Sequence, residues 1–212
     1  MNLLPVLIIG AGGHAVVVHD CLRLASRSVA GVLDPSATIG TEIFPGAVCI
    51  GNDDNVLTEY PARLFLLANG VGSIGNTSRR RSIYERLSGL GFEFVSFAHP
   101  SAVIANGADL ADGTQVMAGA IIQPRARIGS NSIINTGARV DHDCVIGKHV
   151  HVAPGATLSG GVTIGDGSHI GTGAVLIQGV QVGESSIVGA GVIVLRDVPP
   201  KTIISVSKTP VW

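Results

Sequence analysis

The sequence predicts two regions with different repeat periods. A small α/β unit covers residues 1–97 and a parallel β-helix covers 98–212 with a C-terminal tail. Three observations carry this. Short apolar runs alternate with helix-compatible segments up to about residue 97. From Ile104 onward every sixth residue is a branched aliphatic. The composition, 29 Gly with only 4% aromatic and 14% charged residues, suits a chain that buries many small side chains in a regular array.

In the first region, "VLII" at 6–9 ends at Gly10, and "HAVVVHDCLRLA" follows with apolar residues at helical spacing, a strand, glycine turn and helix. Val29 to Leu33 is a second strand, ending at Asp34-Pro35, and Leu64 to Leu67 a third, ending at "ANG". Ser78 to Leu87 reads as a helix and Phe92 to Phe97 as extended. Arg79, Arg80 and Arg81 are expected on the first solvated turns of that helix, with phosphate contact as the alternative. His19 is expected at the surface.

In the second region the column from Ile104 through Ile134, Val140 and Ile164 to Val194 holds Ile, Leu or Val through sixteen hexads without an insertion. Four places after each stands a small or β-branched residue, such as Ala120, Ala138, Cys144 and Ser168. This is the period of a parallel β-helix whose short strands stack at roughly 4.8 Å. No α-helix or coiled coil has it.

With 14 Lys+Arg against 15 Asp+Glu, no nucleic-acid partner is expected. Three cysteines, Cys21, Cys49 and Cys144, have neither disulfide-like nor metal-like spacing, which fits a reducing, cytoplasmic setting. The opening "MNLLPVLIIGAGG" lacks a basic leader and breaks at glycine well short of the roughly 20 residues of a bilayer span, so no membrane insertion is expected.

The stretch "VDHDCVIG", 140–147, is the chemical centre of interest. Cys144 falls in the small inward column and is read as a buried, inert thiol. His142 lies between two inward positions, and its direction depends on the corner of the coil. It is one of four histidines, with His149, His151 and His169, within 28 residues, and His151 and His169 are 18 apart, one three-sided coil. A zinc site is the alternative for such a cluster, but no two of these four histidines form an i,i+5 pair and no metal is expected.

The turn "GAGGHA" admits two readings. Gly10, Gly12 and Ala15 fit G-x-G-x-x-A after a strand, with Asp34 about 20 residues on, as in dinucleotide-binding folds. An NAD oxidoreductase would need a larger α/β unit than 97 residues. Either way, N–H groups at a helix start suit a pyrophosphate.

Taken together, "IIGAGGHAVVVHD", "AHPSA" at 98–102 and "INTGARVDHDCVIGKHVHVAPGATLSGGVTIGDGSHIGTGA" resemble the hexapeptide-repeat nucleotide-sugar acyltransferase family. That family includes UDP-4-amino-sugar and GDP-perosamine N-acetyltransferases and sialic acid O-acetyltransferase-like relatives. The resemblance covers nearly the whole chain. It implies a Rossmann-like N-terminal domain, a left-handed β-helix of about five coils, a homotrimer with active sites at subunit interfaces, and acetyl-CoA as co-substrate.

It further implies His142 as general base, Asp143 as the acid that increases its basicity, and Gly160, one coil on, as oxyanion donor. Gly12, Gly13 and His14 would meet the nucleotide diphosphate, Asp34 and Pro35 the base or ribose, and Gly70 another part of the acceptor, with Asn135 near its sugar. His151, Gly160, Thr172 and Ala190 would touch CoA. The implied reaction is N-acetyl transfer to a nucleotide-linked amino-deoxy sugar for surface glycan synthesis. O-acetylation of a sialic or nonulosonic acid, or a non-enzymatic assembly module, is the alternative. Two departures stand out: "ISVSKTPVW" at 204–212 replaces the family's usual closing segment, and "NGVGS" replaces a plainer Gly-Asn or Gly-Asp form.

Overall fold

The computed structural model describes residues 4–52, 54 and 59–205. The N-terminal unit is a sheet of β1 (Val6–Ile9), β2 (Val29–Leu33), β3 (Glu42–Phe44), β4 (Ala47–Gly51) and β5 (Leu66–Asn69), in the order β3-β4-β2-β1-β5. β2, β1 and β5 run parallel, with β1 in the middle and buried on both faces, which is why it reads as an unbroken apolar run. β3 and β4 were not foreseen; β3 pairs antiparallel with β4. The third expected strand lies two residues later than read, because a 3-10 turn, Ala62–Leu64, follows Pro61.

Helix α1 (Gly13–Leu24) starts at the extended Gly12 and buries Ala15, Val18, Cys21 and Leu22. Helix α2 (Ser78–Gly89) covers the other face of the sheet through Leu87, packed with Leu7, Leu67 and Phe94. Two readings are corrected here. Arg80 is fully buried, unlike the exposed Arg79 and Arg81, and His19 is buried and stacked on Phe44 with ring centroids 5.1 Å apart.

From Phe97–Ala98 to Ile203–Ile204 two-residue strands form three parallel sheets of six, five and seven strands. Each strand pairs with the one 18 residues on, as Ile121 with Arg139 and His151 with His169. The final coil is shorter, since Ile187 pairs with Ile203 and Val182 with Val198. The two inward columns, including Ile122, Val140, Cys144 and Ile164, form one continuous core. Fully burying each aliphatic side chain there contributes about 1.5–3 kcal/mol.

The N-terminal unit sits on the seven-stranded sheet. Met117 and Ile133 of that sheet share a core with α1 residues, and Cys21 Sγ lies 3.7 Å from Met117 Sδ. Arg80 locks the junction, donating to Asn69 O at 2.7 Å, Val71 O at 2.9 Å and Asn131 O at 3.2 Å. Among the described residues, no helix is long and apolar enough to cross a membrane.

Candidate active site

The corners of the coil use the left-handed region once per hexad, mostly through glycines such as Gly137 and Gly155. At six corners another residue takes that place, among them Arg125 (φ 63°) and Asp143 (φ 61°), one coil apart. The left-handed turn at Asp143 folds its carboxylate back on its neighbour, so that His142 Nδ1 lies 2.7 Å from Asp143 Oδ2. Arg125 clamps the same carboxylate with Nε to Oδ1 at 2.6 Å and Nη2 to Oδ2 at 2.7 Å. These bonds, that from Arg125 first, hold the Asp143 carboxyl well below the usual carboxylate range. Asp141 instead accepts the backbone N–H of His142 at 2.6 Å.

An ionised Asp143 fixes Nδ1 of His142 as the protonated nitrogen and leaves Nε2 with its lone pair outward. The side chain is half-exposed. One coil on, Gly160 faces this ring: a Cβ there would lie 2.6 Å from both Nε2 and Cε1. The Gly160 N–H has no backbone acceptor among the described residues, whereas Gly161 N–H donates to His142 O at 2.8 Å. The missing Gly160 side chain thus leaves the edge of the His142 ring open at the corner, beside a backbone N–H that has no backbone acceptor among the described residues.

A second feature lies on the other side of the coil. A cleft of about 1000 Å³ runs between the start of α1, the 70–74 loop and the seven-stranded sheet. Gly12 and Gly13 have open space where side chains would be, and no side chain caps the helix start. Its first N–H groups therefore face the cleft unsatisfied. Gly70 is required by packing, since a Cβ would lie 2.7 Å from Ile9 O and 2.8 Å from Ala15 Cβ. Asp34 accepts Ala11 N–H through Oδ2 at 2.8 Å, and Ser36 N–H and O–H through Oδ1 at 2.8 and 2.5 Å. Burial alone would raise its carboxyl; these bonds and the Arg79 charge outweigh that and hold it low. Pro35 lines the wall beside it.

His14 donates from Nε2 to Gln115 Oε1 at 2.8 Å, because Gln115 Nε2 is committed to Asn69 O at 2.9 Å. Burial, then the charge of Arg80, lowers its pKa to about 4. Its ring is therefore neutral and presents a lone pair at Nδ1; only its backbone N–H suits a phosphate.

His151 is placed differently from the sequence reading, which grouped it with Thr172 and Ala190. It lines this cleft, with Nδ1 donating to Ser73 O at 2.9 Å and Nε2 accepting from Asn135 Nδ2 at 3.0 Å. Burial and the neighbouring His169 lower its pKa to about 3. The His151 and His169 rings meet edge to face at 5.0 Å. Thr172 and Ala190 are exposed and stacked at a corner of the coil. Cys144 points into the core. Among the described residues, no group of three or more His, Cys, Asp or Glu could hold a metal.

His142 does not line the cleft. It sits where the six-stranded sheet turns into the five-stranded one, whereas the cleft lies on the seven-stranded sheet. Sequence reasoning missed Arg125, Gln115, Ser73 and the role of Arg80. For Arg125 a signal existed: an arginine in the corner column that glycine mostly fills, 18 residues before Asp143.

A histidine-carboxylate dyad on a hexad-built β-helix, joined to a glycine-turn α/β domain, defines the class of hexapeptide-repeat acyltransferases. Family models agree: the PglD N-terminal domain matches residues 5–87, bacterial transferase hexapeptide repeats match 125–160 and 143–178, and the hexapeptide repeat of succinyl-transferase matches 161–196. A perosamine N-acetyltransferase from Caulobacter crescentus, solved with CoA and GDP-perosamine, is 36% identical with TM-score 0.85, over 95% of this chain and 93% of that one. The acetyltransferase domain of PglB from Neisseria gonorrhoeae, solved with acetyl coenzyme A, is 33% identical with TM-score 0.86, over 95% and 96%. The UDP-N-acetylbacillosamine N-acetyltransferase of Bacillus subtilis is 42% identical over 122 residues, 53% of this chain and 51% of that protein, so the match spans about half of that curated relative. The chain belongs to the hexapeptide-repeat nucleotide-sugar acyltransferase family, and its β-helix is of the left-handed kind.

Proposed function

We propose that this protein transfers acetyl from acetyl-CoA to the amino group of a nucleotide-linked amino-deoxy sugar, in bacterial surface glycan synthesis. The observation that carries the reading is the His142 ring lying open against Gly160, beside a carboxylate fixed by Arg125. The sugar amine attacks the thioester carbonyl, and Nε2 takes the proton the amine loses. Gly160 N–H stabilises the oxyanion as it forms. Collapse expels CoA as the thiol, with the proton returned through His142. Asp143 supports the imidazolium between these steps.

The cleft takes the acceptor, with its diphosphate at Gly12 and Gly13, the nucleoside at Asp34 and Pro35, Gly70 behind, and the sugar toward Asn135. His151 supports the acceptor side by orienting Asn135. CoA lies along the coil from Gly160 past Thr172 and Ala190. The dyad and the cleft sit on different parts of one chain, so a working site takes His142 from one subunit and the cleft from another. The apolar outward residues Val103, Val175 and Ile193 of the six-stranded sheet support a homotrimer built on that face. Three free cysteines and an acetyl-CoA co-substrate support a cytoplasmic setting.

The test is thiol release from acetyl-CoA against UDP-, GDP- and dTDP-amino sugars and free and CMP-linked sialic acids, with His142→Ala alongside. Turnover on an amino sugar, lost in the variant, is expected. Turnover on sialic acids alone would replace the reading with O-acetylation, and no turnover without CoA binding would leave an assembly module.

A further inference from the structure

The acceptor cleft has a side compartment of about 270 Å³ beside Gly10. Its wall is apolar, made by Ile9, Leu33, Val71 and Ile83. Its polar side chains are Asp34 and three from α2, Arg79, Ser82 and Arg86, spaced i, i+3 and i+7 on one helix face. Arg79 lines the main cleft as well and so stands where the two compartments join. Asp34 also lines both. Asp34 is thus common to both compartments, while Gly12, Gly13 and Asn135 line only the main cleft, so a base in the slot would put the ribose at Asp34 and the diphosphate and sugar beyond it. That is the order of base, ribose, diphosphate and sugar in a nucleotide sugar.

We infer that the side compartment is the nucleobase slot and that it fits a uracil-type ring, so that the acceptor is carried on uridine or thymidine diphosphate rather than guanosine diphosphate. The inference rests on the nucleotide-sugar reading and deepens it. A pyrimidine-2,4-dione presents two carbonyl acceptors on either side of one N–H. The helix face presents two guanidinium donors on either side of one hydroxyl, Ser82, that can accept. Arg86 is shared with Asp54 at 3.2 Å, which leaves Arg79 as the principal donor.

Guanine is a poor match. Its pairing edge carries three N–H bonds, at N1 and N2, and needs acceptors. The carboxylate at hand, Asp34, already accepts from Ala11 and Ser36. If guanine turns O6 and N7 to Arg79 instead, those N–H groups face the apolar wall, where an unpaired donor is costly.

The test is calorimetric binding of UDP, dTDP and GDP to the intact protein and to Arg79→Ala and Ser82→Ala, with thiol release on UDP-, dTDP- and GDP-linked amino sugars in parallel. UDP or dTDP is expected to bind at least about tenfold tighter than GDP. Arg79→Ala should weaken the favoured nucleotide, and Ser82→Ala should narrow its advantage. GDP binding as tightly as UDP and dTDP would overturn the slot assignment, and His142-dependent turnover of a GDP-linked sugar would show that acetyl transfer stands without it. Discrimination unchanged in both variants would overturn the role of the α2 face. Failure of all three nucleotides to bind would overturn the nucleotide-sugar reading itself.

Discussion

Gly160 lies against the imidazole of His142 from one coil away, at a place where a Cβ would come within 2.6 Å of Nε2. The missing side chain keeps the base nitrogen accessible, and the same residue offers the N–H. Gly160→Ala keeps the N–H but pushes a methyl group into the ring, so it is expected to reduce kcat by about 10²–10⁴-fold, the size of a displaced general base. Thermal stability should change little, because the atoms met belong to a half-exposed ring that can swing outward. Steady-state kinetics beside a melting curve separates the two effects.

His142→Ala is expected to reduce kcat by about 10²–10⁴-fold with little effect on CoA affinity. Asp143→Asn should cost nearly as much, up to about 10⁴-fold, because an amide that donates to Nδ1 puts the ring proton on Nε2, the wrong nitrogen for a base. A loss far smaller than that of His142→Ala would mean that the carboxylate does not set the tautomer.

Arg125 holds Asp143 ionised, so the Asp143 carboxyl should stay charged well below its ordinary value of 3.8. In Arg125→Ala its midpoint should move up toward 3.8. Because a depressed carboxylate stabilises the fold only while ionised, the corner contribution would then be lost at higher pH than in the parent. Carboxyl-carbon NMR titration follows this directly.

His14 and His151, with pKa values lowered to about 4 and about 3, are neutral in the fold at neutral pH. The unfolded chain takes up protons as pH falls below 6.5 while the folded chain does not, so stability is complete above pH 6.5 and declines toward pH 4. Melting temperature should fall over that window, and His14→Gln should flatten the slope. A slope unchanged in the variant would show that His14 does not report this burial.

Arg80 satisfies three carbonyls at the domain junction, including Val71 O in the cleft loop. Arg80→Met should destabilise the protein by about 2–4 kcal/mol, since Val71 O and Asn131 O lose this donor while Asn69 O keeps only Gln115. It should raise KM for the acceptor more than it lowers kcat. A co-expressed mixture of His142→Ala and Arg80→Met subunits should exceed either variant alone in activity if base and cleft come from different subunits.

Much of this protein is legible in its sequence because the β-helix is periodic. One aliphatic and one small residue per hexad fix which side chains face inward, and Cys144 and the His151–His169 pairing follow from counting. The glycine turn and β1 are equally local, set by an apolar run and by residues with no Cβ. The hairpin of β3 and β4 was missed because its strands are short and only half covered.

What only the tertiary structure decided concerns directions and distant neighbours. Periodicity could not say that Asp143 reaches His142, since adjacent residues of a strand face opposite ways; the left-handed φ at Asp143 reverses that at the corner. Nor could it place Arg80 on Asn131, Gln115 on His14, or His151 beside Ser73, because these contacts join residues 51 to 101 positions apart. The sequence determined the scaffold, because it depends on local order along the chain, and pointed to the dyad only through its resemblance to the family. The bonds that orient them arise only when separate elements are brought together.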